Sequence, residues 1–194
     1  QKVFFFFLAS PARIEKLAIV IHAFYPDVLS EILAMIGQNS KHGLKLFVST
    51  TAQNHSQIEI LLEAAGMHYK LLTVENKGRD MLPFLMMLPH VKAEGFDLVL
   101  KLHTKKSNHL NRPARWSADL FNKLLGVGII DRTWKTFELY PDIGIIGPEG
   151  HILPMWLYYG ANAQNVKSLA IKSAVDAALM RGLLFPAGSM FYAR

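Results

Sequence analysis

Three short polar segments carry residue types that suit work on a phosphorylated ligand. The first is Asn76-Lys77-Gly78-Arg79-Asp80. Gly78 permits a tight turn and close backbone approach, and Arg79 offers a guanidinium fork that matches phosphate oxygens. The N–H groups opening a following helix would point to the same place and favour an anion. The same residues also suit an ordinary strand-to-helix turn in which Asp80 caps the helix.

The second segment is Lys101-Leu102-His103-Thr104-Lys105-Lys106-Ser107. Lys101 and His103 share one strand face by alternation. Lys101 interrupts an otherwise apolar run, where an unpaired ammonium is costly, so it needs a carboxylate; Asp80 and Asp97 are the candidates. His103, Thr104, Lys105 and Lys106 then leave the strand as donors suited to a diphosphate, or as a solvated basic loop. The third segment is Pro186-Ala187-Gly188-Ser189-Met190-Phe191. Its small residues admit a ligand to the backbone, and Phe191 and Tyr192 are placed to pack on a sugar or base. On its chemistry alone, a plain turn into a core strand is the favoured reading of this segment.

Other chemistries lack their residues. The eight histidines show no zinc-type spacing. There is no Walker A sequence, no Gly-x-Gly-x-x-Gly after the first strand and no Gly-x-Ser-x-Gly elbow. The basic loop from Lys101 to Arg115 has no aromatic interleaving, which argues against nucleic acid as a partner.

The elements that must hold these segments alternate between strand and helix. Apolar runs predict strands at Leu17–Ala23, Leu44–Ser49, Tyr69–Val74, Phe96–Leu102 and Ile143–Ile146. Helical spacing follows Pro26, with Val28, Leu29, Ile32, Leu33 and Ile36. It recurs from Ile58 to Ala65, from Arg79 to Lys92, twice between Trp116 and Tyr140, and from Asn162 to Arg181. A turn and a strand end the chain. Trp156 to Tyr159 reads chiefly as core packing, with an acceptor platform as the other option. The pattern predicts an α/β fold whose mostly parallel sheet is covered on both faces. All three polar segments then fall at strand ends, along the rim where open α/β sheets bind ligands.

The chain has 194 residues, 51% of them hydrophobic, which fits one domain with a sizeable core. Residues 1–15 read as an edge strand or tail, since Val3-Phe4-Phe5-Phe6-Phe7-Leu8 is too short to span a bilayer; residues 16–194 form the domain. Cysteine is absent, which fits a reducing compartment. The net charge of +6 suits a partner carrying phosphate.

Four segments in order, Ile21-His22-Ala23-Phe24-Tyr25-Pro26-Asp27, Asn76 to Phe84, Lys101 to Ser107 and Ala187 to Phe191, resemble the rhamnan synthesis F family. The resemblance runs from about Lys16 to the end. It implies a glycosyltransferase-like domain of three-layer α/β/α, GT-A-like form. The implied reaction is transfer of a sugar, rhamnose from dTDP-rhamnose for instance, to a lipid-linked glycan during bacterial polysaccharide or lipopolysaccharide assembly. The implied setting is the cytoplasm, with peripheral contact at the inner membrane.

Carried onto this sequence, the resemblance places His22, Asn76, Gly78, Arg79, Thr104, Lys105, Lys106, Gly188 and Ser189 around the nucleotide sugar. Asp80, Lys101 and His103 are the catalytic candidates, and Asp142 and Glu149 are further candidates for a base. Many GT-A enzymes carry an Asp-x-Asp pair for Mg or Mn where this sequence has His103-Thr104-Lys105-Lys106. With no carboxylate pair there, cationic side chains are expected to offset the diphosphate directly, without metal. The base of that class usually follows the segment matching Gly188-Ser189, so the chain is expected to stop short of it. A silent nucleotide- or sugar-binding module of a larger assembly protein would carry the same motifs.

Overall fold

The computed structural model describes residues 4–5, 16–39, 43–104, 113–176, 180 and 182–194. Its elements in chain order are β1 (Phe4–Phe5), β2 (Leu17–His22), α1 (Pro26–Gly37), β3 (Leu44–Thr50), α2 (His55–Ala65), β4 (Tyr69–Thr73), α3 (Met81–Ala93) and β5 (Leu98–His103). They continue with α4 (Pro113–Leu125), α5 (Ile129–Leu139), β6 (Ile143–Ile146), β7 (Ile152–Pro154), α6 (Ala163–Lys172), β8 (Leu184–Pro186) and β9 (Phe191–Ala193).

Seven strands form one sheet in the order β1-β6-β9-β5-β2-β3-β4. Strands β4, β3, β2 and β5 are mutually parallel. Strand β9 runs antiparallel to both β5 and β6, and β1 antiparallel to β6. The fold is therefore mixed α/β, with five strands pointing one way. The chain winds outward from β2 to β4, then returns over α3 to place β5 on the other side of β2. The strand order thus reverses between β2 and β5, the point where open α/β sheets form their ligand crevice.

Alternation along the strands divides the interior. Leu17, Ile19 and Ile21 on β2, with Leu98, Leu100 and Leu102 on β5, pack under α1, α2, α4 and α5. Ala18, Val20 and Val99 face the other way, onto Phe84, Met87 and Val91 of α3. That second face also carries Lys101 and His103, because they alternate with the leucines of β5. In α1, Pro26 occupies the first turn, where its missing N–H costs nothing. Leu29, Ile32, Leu33 and Ile36 then bury one stripe.

Two helices differ from the sequence expectation. Helix α3 starts at Met81 rather than Arg79, because Arg79 has φ 54° and cannot belong to a right-handed helix. Helix α6 ends at Lys172. No residue of α6 is buried, so packing supplies little to extend it, and Ala174 turns left-handed at φ 53°. Strands β7 and β8 form a separate antiparallel pair outside the main sheet. The turn after β7 exposes Trp156 and Tyr158 to 58% and 57%, which overturns the expectation of core packing for this aromatic stretch.

Candidate functional site

The strand-end rim is built around one buried charge. Lys101 Nζ donates to Asp80 Oδ2 at 2.6 Å and to the carbonyl of Ser189 at 2.6 Å. Ser189 Oγ–H donates to the same Asp80 oxygen at 2.5 Å. Rings of Phe84 and Phe191 lie 5.5 and 5.9 Å from the ammonium, close enough for cation–π attraction. The Lys101 side chain is 1% exposed and that of Asp80 12%. Asp80, not Asp97, is therefore the partner that Lys101 requires. Nor does Asp80 cap α3, since its side chain bonds no helix N–H.

The electrostatics follow from this packing. Burial pushes the Asp80 carboxyl up, but Lys101, His103 and the hydrogen bonds from Lys101 and Ser189 outweigh it and hold the group at about 2. Burial lowers the Lys101 ammonium, against the opposing pull of Asp80. His22 is lowered chiefly by burial, with Lys101 adding to the fall and Asp80 and the Ser49 backbone opposing it. Its imidazole is thus neutral at pH 7 and able to accept a hydrogen bond or a proton.

His22 and His103 stand side by side in the register of β2 and β5. His22 Nδ1 shares a 3.1 Å hydrogen bond with Ser49 Oγ, and His103 Nε2–H donates to the Gly188 carbonyl at 2.7 Å. Thr104 is wholly buried, and its hydroxyl oxygen accepts the N–H groups of Phe24 and Tyr25, both at 2.8 Å. It braces the loop after β2 and presents no free hydroxyl to a ligand. Lys105 and Lys106 lie outside the described residues.

Two loops meet over this pivot, and both are conformationally unusual. Gly78 and Arg79 have φ 70° and 54°, and Gly188 and Ser189 have φ 84° and 51°. Of the three non-glycine residues with positive φ among those described, two sit here. Such strain is retained where the surroundings force it, and it gathers at functional sites. Glycine is required twice over. A Cβ on Gly78 would lie 2.3 Å from Leu82 Cβ, and one on Gly188 would lie 2.6 Å from the Trp116 ring. Asn76, Gly78 and Arg79 are exposed in the loop leading to α3.

The structure thus joins Asp80, Lys101, His103, Gly188 and Ser189 by direct contact, sets His22 beside them, and leaves Arg79 and Asn76 on the rim above. It does not bring Asp142 there. Strand β6 points the same way as β5, so Asp142, ahead of β6, lies at the opposite rim. Glu149 follows β6 and lines a cleft of about 1030 Å³ on the other face, with Lys123, Arg132 and Thr133. Tyr192 is also unavailable to a ligand: it is buried, and its hydroxyl donates to the Leu124 carbonyl at 2.6 Å. Phe191 packs on Lys101.

Sequence reasoning missed Phe84, Ser49 and Trp116 as supports of the site. It also missed a second polar cluster, in which His151 Nε2–H and Lys123 Nζ both donate to Asp119 Oδ2, at 2.6 and 2.7 Å. This cluster abuts the site through Trp116, whose ring meets His151 edge-on at 5.9 Å. Asp119 and Lys123 are a local i,i+4 pair on α4, whereas the His22–Ser49, Gly188–Trp116 and His151–Asp119 contacts join segments distant in sequence and leave no local motif.

One Asp80 oxygen already carries an ammonium and a hydroxyl donor, and among the described residues no group of three His, Cys, Asp or Glu side chains is placed to hold a metal. The described rim thus combines a buried ion pair, two left-handed turns and the exposed cations Lys77 and Arg79 at the strand reversal of an α/β sheet.

Comparison with known proteins narrows this. The family model of rhamnan synthesis protein F matches residues 8–193, and the chain belongs to that family. Two curated relatives are both the uncharacterized protein WxcX, from Xanthomonas campestris pv. campestris strains B100 and ATCC 33913. Each is 35% identical over 176 residues, covering 91% of this chain and 25% of the relative. The chain therefore spans about a quarter of the length of the curated relatives it matches. Membership ties it to rhamnan and polysaccharide synthesis.

Proposed function

We propose that this domain binds a nucleotide-diphospho-sugar, such as dTDP-rhamnose, at the strand-end rim. It acts there as a glycosyltransferase of GT-A-like form, a rhamnosyltransferase on this reading, in bacterial surface-polysaccharide or lipopolysaccharide assembly. The acceptor is a lipid-linked glycan and the setting the cytoplasmic side of the inner membrane. One observation carries the reading: the buried Asp80–Lys101–Ser189 pivot holds two left-handed glycine turns together at the strand reversal of a rhamnan synthesis F domain.

The chemistry divides between pivot and rim. Asp80 at about 2 is a poor proton acceptor at neutral pH. Asp80 and Lys101 are therefore positioning residues. They fix Arg79 and the N–H groups at the start of α3 on one side, and the Gly188-Ser189 turn on the other. Arg79, those N–H groups and the basic segment after Thr104 offset the diphosphate charge without metal. Neutral His22 supplies a hydrogen bond to the sugar or nucleotide.

Because the pivot carboxylate is already neutralised, a second reading has support: a nucleotide- or sugar-binding module that turns nothing over, within a larger polysaccharide-assembly protein. Titration calorimetry separates donor binding from its absence. The expected result is selective uptake of dTDP-rhamnose over UDP- and GDP-sugars, unchanged by EDTA and lost in Arg79→Ala. No uptake of any nucleotide sugar sinks the transferase reading and the nucleotide-binding form of the second. Binding without transfer to a lipid-linked acceptor selects the second.

A further inference from the structure

Sugar transfer needs a group to take the acceptor's proton, and the pivot is ill suited to supply it. Asp80 is held at about 2, with Lys101 the largest lowering influence. His103 Nε2–H is tied to the Gly188 carbonyl at 2.7 Å. Charging His22 is opposed by its burial and by Lys101.

Another imidazole stands across the Gly188-Ser189 turn. Strand β6 ends at the same rim as β5, and the chain then bends back to His151. The N–H of Ala187 donates to the His151 carbonyl at 2.7 Å, which fastens His151 to the residue just before Gly188. Trp116 closes the junction. Its ring meets His151 edge-on at 5.9 Å and lies 2.6 Å from where a Gly188 Cβ would be.

The His151 side chain is 12% exposed, so its ring is held in place. Nε2–H donates to Asp119 Oδ2 at 2.6 Å, and the ring with its proton there carries a bare lone pair on Nδ1. Nδ1 has no hydrogen-bond partner among the described residues and is not sealed from solvent. Hydrogen bonds from His151 and Lys123 keep the Asp119 carboxyl below its ordinary value. Lys123 reaches the same oxygen at 2.7 Å from one turn further along α4 and steadies the carboxylate. A carboxylate on one ring nitrogen orients an imidazole and stabilises the imidazolium that forms when the other nitrogen takes a proton.

We propose that His151, oriented by Asp119, is the general base of the transfer, a role that rests on the glycosyltransferase reading. Nδ1 takes the proton of the acceptor hydroxyl as that oxygen bonds the anomeric carbon of the sugar. The bond from that carbon to the diphosphate oxygen breaks, and its electron pair leaves with the diphosphate. The imidazolium then passes the proton to solvent. Asp119 touches no substrate and is a positioning residue.

Release of dTDP from dTDP-rhamnose, with lipid extracted from rhamnan-producing bacteria as acceptor, tests this beside calorimetric donor binding. His151→Gln keeps an N–H for Asp119 but has no basic nitrogen. It should lower kcat about 100-fold or more while KM and donor affinity stay within about two-fold. His151→Ala should lose as much, and added imidazole should raise its turnover about ten-fold or more. Asp119→Asn should lower kcat about ten-fold or more at unchanged donor affinity. Matching thermal melts verify folding. Full kcat in His151→Gln, a loss confined to donor affinity, or a His151→Ala deficit untouched by imidazole would each overturn the proposal, while wild-type turnover upholds the transferase reading. Donor binding by wild type without dTDP release removes the transferase reading and this base with it.

Discussion

The ammonium of Lys101 and the carboxylate of Asp80 meet at 2.6 Å beneath the strand-end rim, sealed under Phe84 and Phe191. A buried pair of this kind is costly to halve, since the surviving charge has no water to fall back on. Its worth here is geometric: it fastens the loop before α3 to the turn before β9.

Asp80→Asn should destabilise the domain by about 3–5 kcal/mol, read from urea unfolding. Lys101→Met should also destabilise, by stranding Asp80 and the Ser189 carbonyl. The double variant should lose less than the two single losses combined. Strict additivity would show that the two residues act separately.

Stability should fall in acid with a defined share from Asp80. Its folded value of about 2 lies below the ordinary 3.8. The contribution is therefore complete above about pH 4 and is lost as pH falls toward 2, amounting to about 2 kcal/mol. Unfolding free energies of wild type and Asp80→Asn, followed from pH 6 to 2 (about the range the linkage relation covers), should converge as acidity rises. Parallel curves would remove Asp80 as the source.

Gly188→Ala combines a left-handed backbone with a Cβ 2.6 Å from the Trp116 ring. A loss of at least about 2 kcal/mol is expected. Because the Gly188 carbonyl accepts from His103, donor binding should weaken as well. A thermal melt and a calorimetric titration on the same variant check both.

Arg79→Gly separates binding from folding. Glycine relieves the positive φ of this position but adds freedom to the unfolded chain, so net stability should move by less than about 1 kcal/mol. Nucleotide-sugar affinity should nevertheless collapse with the guanidinium gone. A large stability change would show that Arg79 holds the loop and is not chiefly a ligand group.

The parallel half of the fold was legible because local pattern determines it. Runs such as Leu17-Ala18-Ile19-Val20-Ile21 and the apolar spacing from Val28 to Ile36 state strand and helix without reference to anything distant. The need of Lys101 for a partner was legible for the same reason: a lysine in an apolar strand demands one. The partner itself was not, because Asp80 and Asp97 both lay within plausible reach and only the crossover over α3 separates them. The antiparallel insertion of β9 left no local trace, since three residues, Phe191 to Ala193, pair with strands far away in sequence. The left-handed turn at Arg79 was hidden because arginine rarely adopts it; tertiary contact overrides local preference there.

The place of β9 between β5 and β6 also bears on biosynthesis. Residues that complete the Asp80–Lys101 pivot, Gly188 and Ser189, emerge from the ribosome long after β2 to β5 have done so. A nascent domain can pair its parallel strands early, yet it holds a lysine charge in an open seam until β9 slots in. The rim takes its shape only when β9 has paired, so on the proposed function nucleotide-sugar binding would report on completion of the sheet.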